Sequence, residues 1–174
     1  DRGPSRCSYG LPAGQRAQSG NLEAYVLSYP MTVTMDTNIL FAALHSSAGA
    51  SHLILRLVIN EQLRISLTNT LLLEYQDVLL RPANLEKLAM TADDVLTVLD
   101  TLAALARKHA VWFRLRPNLA DESDNMVVEC AVAGNVDFLL THNVRDFAGG
   151  ELQGFPFTTL TPREFIQHWR KNHE

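Results

Sequence analysis

Oxygen-bearing side chains stand at four separated places in this 174-residue chain. Asp36 lies in Met35-Asp36-Thr37-Asn38, and Glu74 in the run Leu71-Leu72-Leu73-Glu74-Tyr75. Asp121 and Asp124 are three residues apart, and Thr141, Asn143 and Asp146 follow an apolar stretch. Each has an ordinary reading. Asp36 could cap a helix, and Asp121 reads more readily as a cap than as a metal ligand. Asp124 would suit the start of any helix. Glu74 could face solvent, and Asp146 could be a loop acid. Brought together, the same groups acquire a chemistry. Crowded carboxylates repel and raise one another's pKa. A hard divalent cation such as Mg²⁺ or Mn²⁺ removes that cost. Mg²⁺ takes oxygen ligands, retains waters and uses few carboxylates, substrate phosphate completing its shell. Such an ion polarises a phosphodiester and acidifies a water. Direct attack by water is the step expected of such a site.

Whether the groups meet depends on the elements that carry them. From Met31 onward the pattern alternates between strand and helix. Strands are expected at 33–35, 63–67, 110–113, 136–140 and 157–160. Helices are expected to begin at 39–44, to run over 52–60 with Ser51 as cap, and to run from Thr68 to about Leu80, where Arg81-Pro82 interrupts. A short helix is expected at 84–89. A long one should run from a capping-box variant at Thr91…Asp94 to about Lys108, and another over 121–133, closed by Gly134. Thr161-Pro162-Arg163-Glu164 is a strong start for a last helix. This order predicts a three-layer α/β/α domain around a mostly parallel sheet. Right-handed crossovers then set every strand C-terminus on one edge, where ligand sites of such sheets lie. Asp36 follows the first strand, Asp121 and Asp124 the third, and Thr141, Asn143 and Asp146 the fourth. Glu74 sits on the helix after the second. Their shared placement, more than any one residue, points to a site.

A hydrophobic fraction of 47% suits one domain with a sizeable core. Residues 1–30 carry glycine and proline without an apolar period and read as an irregular tail or upstream extension; residues 31–174 read as the domain. The net charge of −4 offers no basic field for nucleic acid, but a site that recruits cations is itself acidic. Cys7 and Cys130 form no metal motif and fit a reducing compartment. No apolar run approaches a membrane span and no signal-peptide core opens the chain, so a cytoplasmic protein without a membrane partner is expected. His45, His52, His109 and His142 lack metal-ligand spacing, although His142 lies on the site loop. Trp112 and Trp169 read as packing residues.

From Met31 to about Trp169 the chain resembles a PIN domain, and most of all the stand-alone bacterial PIN proteins counted as toxins of toxin–antitoxin pairs. The likeness is carried by Val33-Thr34-Met35-Asp36-Thr37-Asn38-Ile39-Leu40, Leu71–Tyr75, Asp121-Glu122-Ser123-Asp124-Asn125 and the segment from Val136 through Thr141-His142-Asn143 to Asp146-Phe147. The resemblance implies a PIN-like sandwich and an endoribonuclease that cleaves single-stranded RNA with Mg²⁺ or Mn²⁺. It carries the family's acids onto Asp36, Glu74 and Asp124. Two residues past Thr141 the family often has Asp; Asn143 stands there, leaving Asp146 as the acid of that loop. One metal would then be held firmly and a second weakly or not at all. Asn38 and Thr141 would orient the acids. Arg114, Arg116 and Arg145 are candidates for the RNA backbone, and read equally as loop charges. A cognate antitoxin protein and a homodimer are further implications, with 91–108 as a possible dimer surface. Two alternatives remain open. One is a degenerate PIN-like module that binds RNA or protein, suggested by Asn143. The other is a phosphohydrolase of the haloacid dehalogenase type, which needs a second Asp where this chain has Asn38.

Overall fold

In a computed structural model, residues 30–111, 119, 121–147 and 154–173 are described. Five strands, β1 (Thr32–Met35), β2 (Arg64–Thr68), β3 (Arg107–His109), β4 (Phe138–Leu140) and β5 (Thr158–Leu160), form one parallel sheet in the order β3-β2-β1-β4-β5. Around it lie α1 (Thr37–His45), α2 (Ala50–Ile59), α3 (Asn69–Leu79), α4 (Pro82–Leu88), α5 (Ala92–Leu105), α6 (Glu122–Ala133) and α7 (Pro162–His173), with a 3₁₀ turn over Val144–Phe147. This is a three-layer α/β/α sandwich, as the alternating pattern predicts. β1 is buried along its whole length, as befits the central strand of a sheet covered on both faces. It pairs Val33 with Ile65 on one side and with Phe138 on the other. The chain moves from β1 to β2 to β3, then crosses back to β4 on the other flank of β1. After that reversal α6 packs against α3 as well as the sheet. α6 packs across β1, β2 and β4, while α2 packs against α1, α5 and α7. The reversal point between the C-terminal ends of β1 and β4 is where such sheets open a crevice.

Local sequence explains most boundaries. Thr68 Oγ1 accepts from the Leu71 amide and caps α3. Thr91 and Asp94 form a reciprocal capping box on α5, and Thr161 and Glu164 do the same on α7. Phe165 on α7 meets the Phe138 ring of β4 edge-on at 5.5 Å. Six expectations need correction. α1 begins at Thr37 and not at Ile39, and β4 covers only Phe138–Leu140 of the expected 136–140. The third strand is at Arg107–His109, before the expected 110–113, of which residues 112 and 113 lie outside the described residues. α5 accordingly ends at Leu105 and not at about Lys108, because Arg107, Lys108 and His109 pair with Ser66, Leu67 and Thr68. Ser51 does not cap α2; Gly49 does, and Ser51 is buried within the first turn. α4 starts at Pro82 rather than Asn84, with the proline at the first helical position. Among the described residues no single helix is long and apolar enough to cross a membrane; α1 and α2, bent by 98° at their junction, pass that test only together.

Candidate active site

Asp36 leaves β1 at the reversal point and occupies the N-cap position of α1, yet its side chain makes no cap hydrogen bond. Its amide donates to the Leu140 carbonyl at 2.8 Å, tying the ends of β1 and β4 together. Its carboxylate oxygen Oδ2 accepts from the Thr141 hydroxyl at 2.7 Å and from Asn38 Nδ2 at 2.6 Å. Thr141 Oγ1 in turn accepts from the Asn143 amide at 3.0 Å, and Asn38 Oδ1 from the His142 amide at 3.2 Å. Asn38 and Thr141, expected as orienting residues, therefore hold the Asp36 carboxylate from two different strand ends. Burial raises the Asp36 pKa, and the Thr141 hydrogen bond opposes the rise.

Glu74 reaches the same place by another route. Its neighbour Tyr75 is fully buried and donates its hydroxyl to the Met35 carbonyl, pinning α3 against the end of β1. Glu74, Val78 and Arg81, at spacings of four and seven, then line one cleft with Asp36. The cleft measures 660 Å³, and its wall also includes Asn38, Asp121, Asp124 and Asn143. Asp121 does both things asked of it: its Oδ1 accepts from the Ser123 amide at 3.0 Å as the cap of α6, and it lines the cleft. Asp146 stands outside the cleft wall, exposed on the 3₁₀ turn beside Arg145, but its charge is felt at Asp124. Arg114 and Arg116 lie outside the described residues.

The acids perturb one another. Desolvation, then the charges of Asp36, Asp121 and Asp146, push Asp124 up to about 6. Burial raises Glu74, helped by Asp77 and opposed by Arg81, with Asp121 and Asp36 adding to the rise. Among the described residues, no group of three or more His, Cys, Asp or Glu side chains forms a metal-holding cluster. The donors are nevertheless hard oxygens around one open cleft. That set fits an ion held by one or two carboxylates, with water and substrate phosphate filling the rest of its shell, and does not fit an all-protein cage.

The cleft also contains residues that the sequence reading passed over. Arg81, Asn84 and Lys87, from the junction of α3 and α4, line it together with the acids. Arg81 pairs with Asp77 at 2.7 Å on an exposed surface, a pair that adds little stability. In sequence Arg81 belongs to the Arg81-Pro82 helix break, and its spacing of seven from Glu74 is the signal that it shares the Glu74 face.

A family model described as PIN domain matches residues 32–145. No match is found among curated proteins or among solved structures.

Proposed function

The chain belongs to the PIN domain family, and from that membership we propose that it is a divalent-metal-dependent endoribonuclease. PIN domains are typically nucleases, and they generally use divalent metals such as Mg²⁺. The observation that carries the proposal for this chain is the single cleft that Asp36, Glu74 and Asp124 all line, each with a raised pKa. Unscreened carboxylates in that arrangement repel, and a hard cation offsets the repulsion.

In this reading Asp36 and Asp124 would be the direct ligands of Mg²⁺ or Mn²⁺, Glu74 on the same cleft wall would meet the ion through its water shell, and Thr141 and Asn38 would fix the angle of the Asp36 carboxylate. Such an ion supplies Lewis-acid polarisation of the phosphodiester and neutralises developing charge. Asp121 and Asp146 set the field at Asp124. Asn143 brings a carbonyl oxygen without charge, so a second ion is held weakly if at all. Arg81 and Lys87, on the same cleft, take the flanking phosphates of an RNA strand. The water oxygen bonds to phosphorus as one P–O ester bond breaks, and the leaving ribose oxygen departs with a proton. An inhibitory partner protein, as in toxin–antitoxin pairs, and a homodimer in the cytoplasm belong to the same proposal and rest on the family likeness.

Purified protein incubated with single-stranded RNA should cut it internally with Mn²⁺ or Mg²⁺ and not in EDTA. Asp36→Asn and Asp124→Asn should abolish cutting while retaining the fold. A second reading, a non-catalytic binding module, is favoured by the lack of a three-ligand cluster among the described residues and by Asn143. It would be the correct one if the wild-type protein bound RNA, left it intact with either metal, and showed no thermal response to Mn²⁺.

A further inference from the structure

Away from the acidic cleft, α2 and α7 pack side by side and leave a groove of 430 Å³ between them. Arg56 on α2 and Arg163 and Arg170 on α7 line it, and no aspartate or glutamate does. Arg163 and Arg170 are seven residues apart with Gln167 between them, so they share one helix face; Arg56 sits four residues after His52 on the facing helix. All three guanidinium groups belong to exposed residues, and none has an ion pair or hydrogen bond among the described residues. Three like charges gathered in one groove repel, and nothing in the packing requires arginine there. In a chain of net charge −4 this local field runs against the global one.

The groove is joined to the site. Ser51, in the first turn of α2, has its hydroxyl 3.3 Å from His142 Nε2. The His142 amide donates to Asn38 Oδ1, and Asn38 donates to the Asp36 carboxylate. The head of α2 and the acidic cleft thus lie on one short hydrogen-bonded path.

We infer that the α2–α7 groove is a second binding track for nucleic acid, in which Arg56, Arg163 and Arg170 engage the phosphodiester backbone of a strand whose neighbouring segment occupies the acidic cleft. The occupant is chosen by chemistry. Arginine forks match phosphate oxygens, an extended strand presents a phosphate at each nucleotide, and the groove carries no negative charge to compete. The inference rests on the ribonuclease reading for the identity of the strand, and its test separates the two.

Binding of a labelled single-stranded RNA of about 20 nucleotides is followed by anisotropy in EDTA, across roughly 50 to 200 mM salt. The wild type is compared with the triple variants R56Q/R163Q/R170Q and R56K/R163K/R170K, with circular dichroism as the check on folding. The glutamine variant should bind on the order of tenfold more weakly, and its salt slope should be shallower by about 2, at about 0.7 per lost phosphate contact on a single strand. The lysine variant should keep the slope. Unchanged affinity and slope in the glutamine variant would overturn the groove, as would a wild type that binds no RNA. So would a glutamine variant that loses binding to a polyglutamate peptide while keeping RNA, which would make the groove a seat for an acidic protein segment. A wild type that binds RNA through these arginines yet never cuts it with Mn²⁺ would sink the ribonuclease reading and leave the groove standing.

Discussion

At the residue scale the acids matter through their mutual field. Asp124, pushed up to about 6, holds more protons in the folded protein than in the unfolded chain between its ordinary value of 3.8 and about 6. A raised carboxyl pKa therefore destabilises the metal-free fold above about pH 6, and the cost fades as pH falls toward 3.8. Asp124→Asn should raise the melting temperature of metal-free protein at pH 7.5, by less than the full shift implies because solvent screens this half-buried carboxyl. The gain should shrink steadily as the scan is repeated down to pH 4. An unchanged or lowered melting temperature at pH 7.5 would mean that Asp124 is not under the strain described. Thr141→Val tests a different property. It removes the hydroxyl that fixes Asp36 and adds no charge, and should cost about 10- to 100-fold in Mn²⁺ affinity or RNA cleavage, as such supporting partners commonly do. The positions of Asp36, Glu74 and Asp124 were legible because each follows a strand in a pattern that fixes one sheet edge. Arg81, past the end of α3, and Lys87, inside α4, were not, since a basic residue has no signature there until the packing of the two helices is known.

At the scale of elements, the sheet is built by close approaches that a hydrophobic pattern does not report. Gly134 ends α6 with ordinary backbone angles, so its conformation does not demand glycine. Space does: a Cβ there would lie 2.0 Å from Ser66 Oγ on β2. Gly134→Ala should destabilise the protein by about 1–3 kcal/mol, the usual cost of overpacking, measured by urea unfolding. Restoring stability in the double variant with Ser66→Gly would identify the clash as the cause. Tyr75 is the corresponding device for α3. Tyr75→Phe leaves the Met35 carbonyl without its buried partner, a loss of about 1–3 kcal/mol, and should lower RNA cleavage by releasing the helix that carries Glu74. β3 shows why some elements stayed hidden. It is an edge strand of Arg107, Lys108 and His109, and charged edges protect a sheet from further pairing. The same residues extend the polar face of α5 in sequence, so only pairing with β2 distinguishes strand from helix there.

At the scale of the whole molecule, the fold divides charge between two places: an acidic cleft at the β1–β4 reversal and an arginine groove between α2 and α7. The alternating pattern implies a parallel sheet, but the place of β4 beside β1 has no local signal in the sequence, because strand order is set by pairing between distant segments. That placement decides the response to metal. If the carboxylates were scattered, a divalent cation would act only by weak screening, and Mn²⁺ and a monovalent salt of equal ionic strength would shift the melting temperature alike. If Asp36 and Asp124 hold an ion in the folded state alone, as proposed, stability should grow with free metal as a one-site linkage, by about 2.7 kcal/mol at a hundred times Kd. On the scale of a chain this size that is roughly 5–10 °C. EDTA should reverse it, and Asp36→Asn should remove it while leaving the response to monovalent salt untouched. A melting temperature that follows ionic strength whatever the cation would show that the cleft holds no metal, and the hydrolytic role assigned to these acids would fall with it.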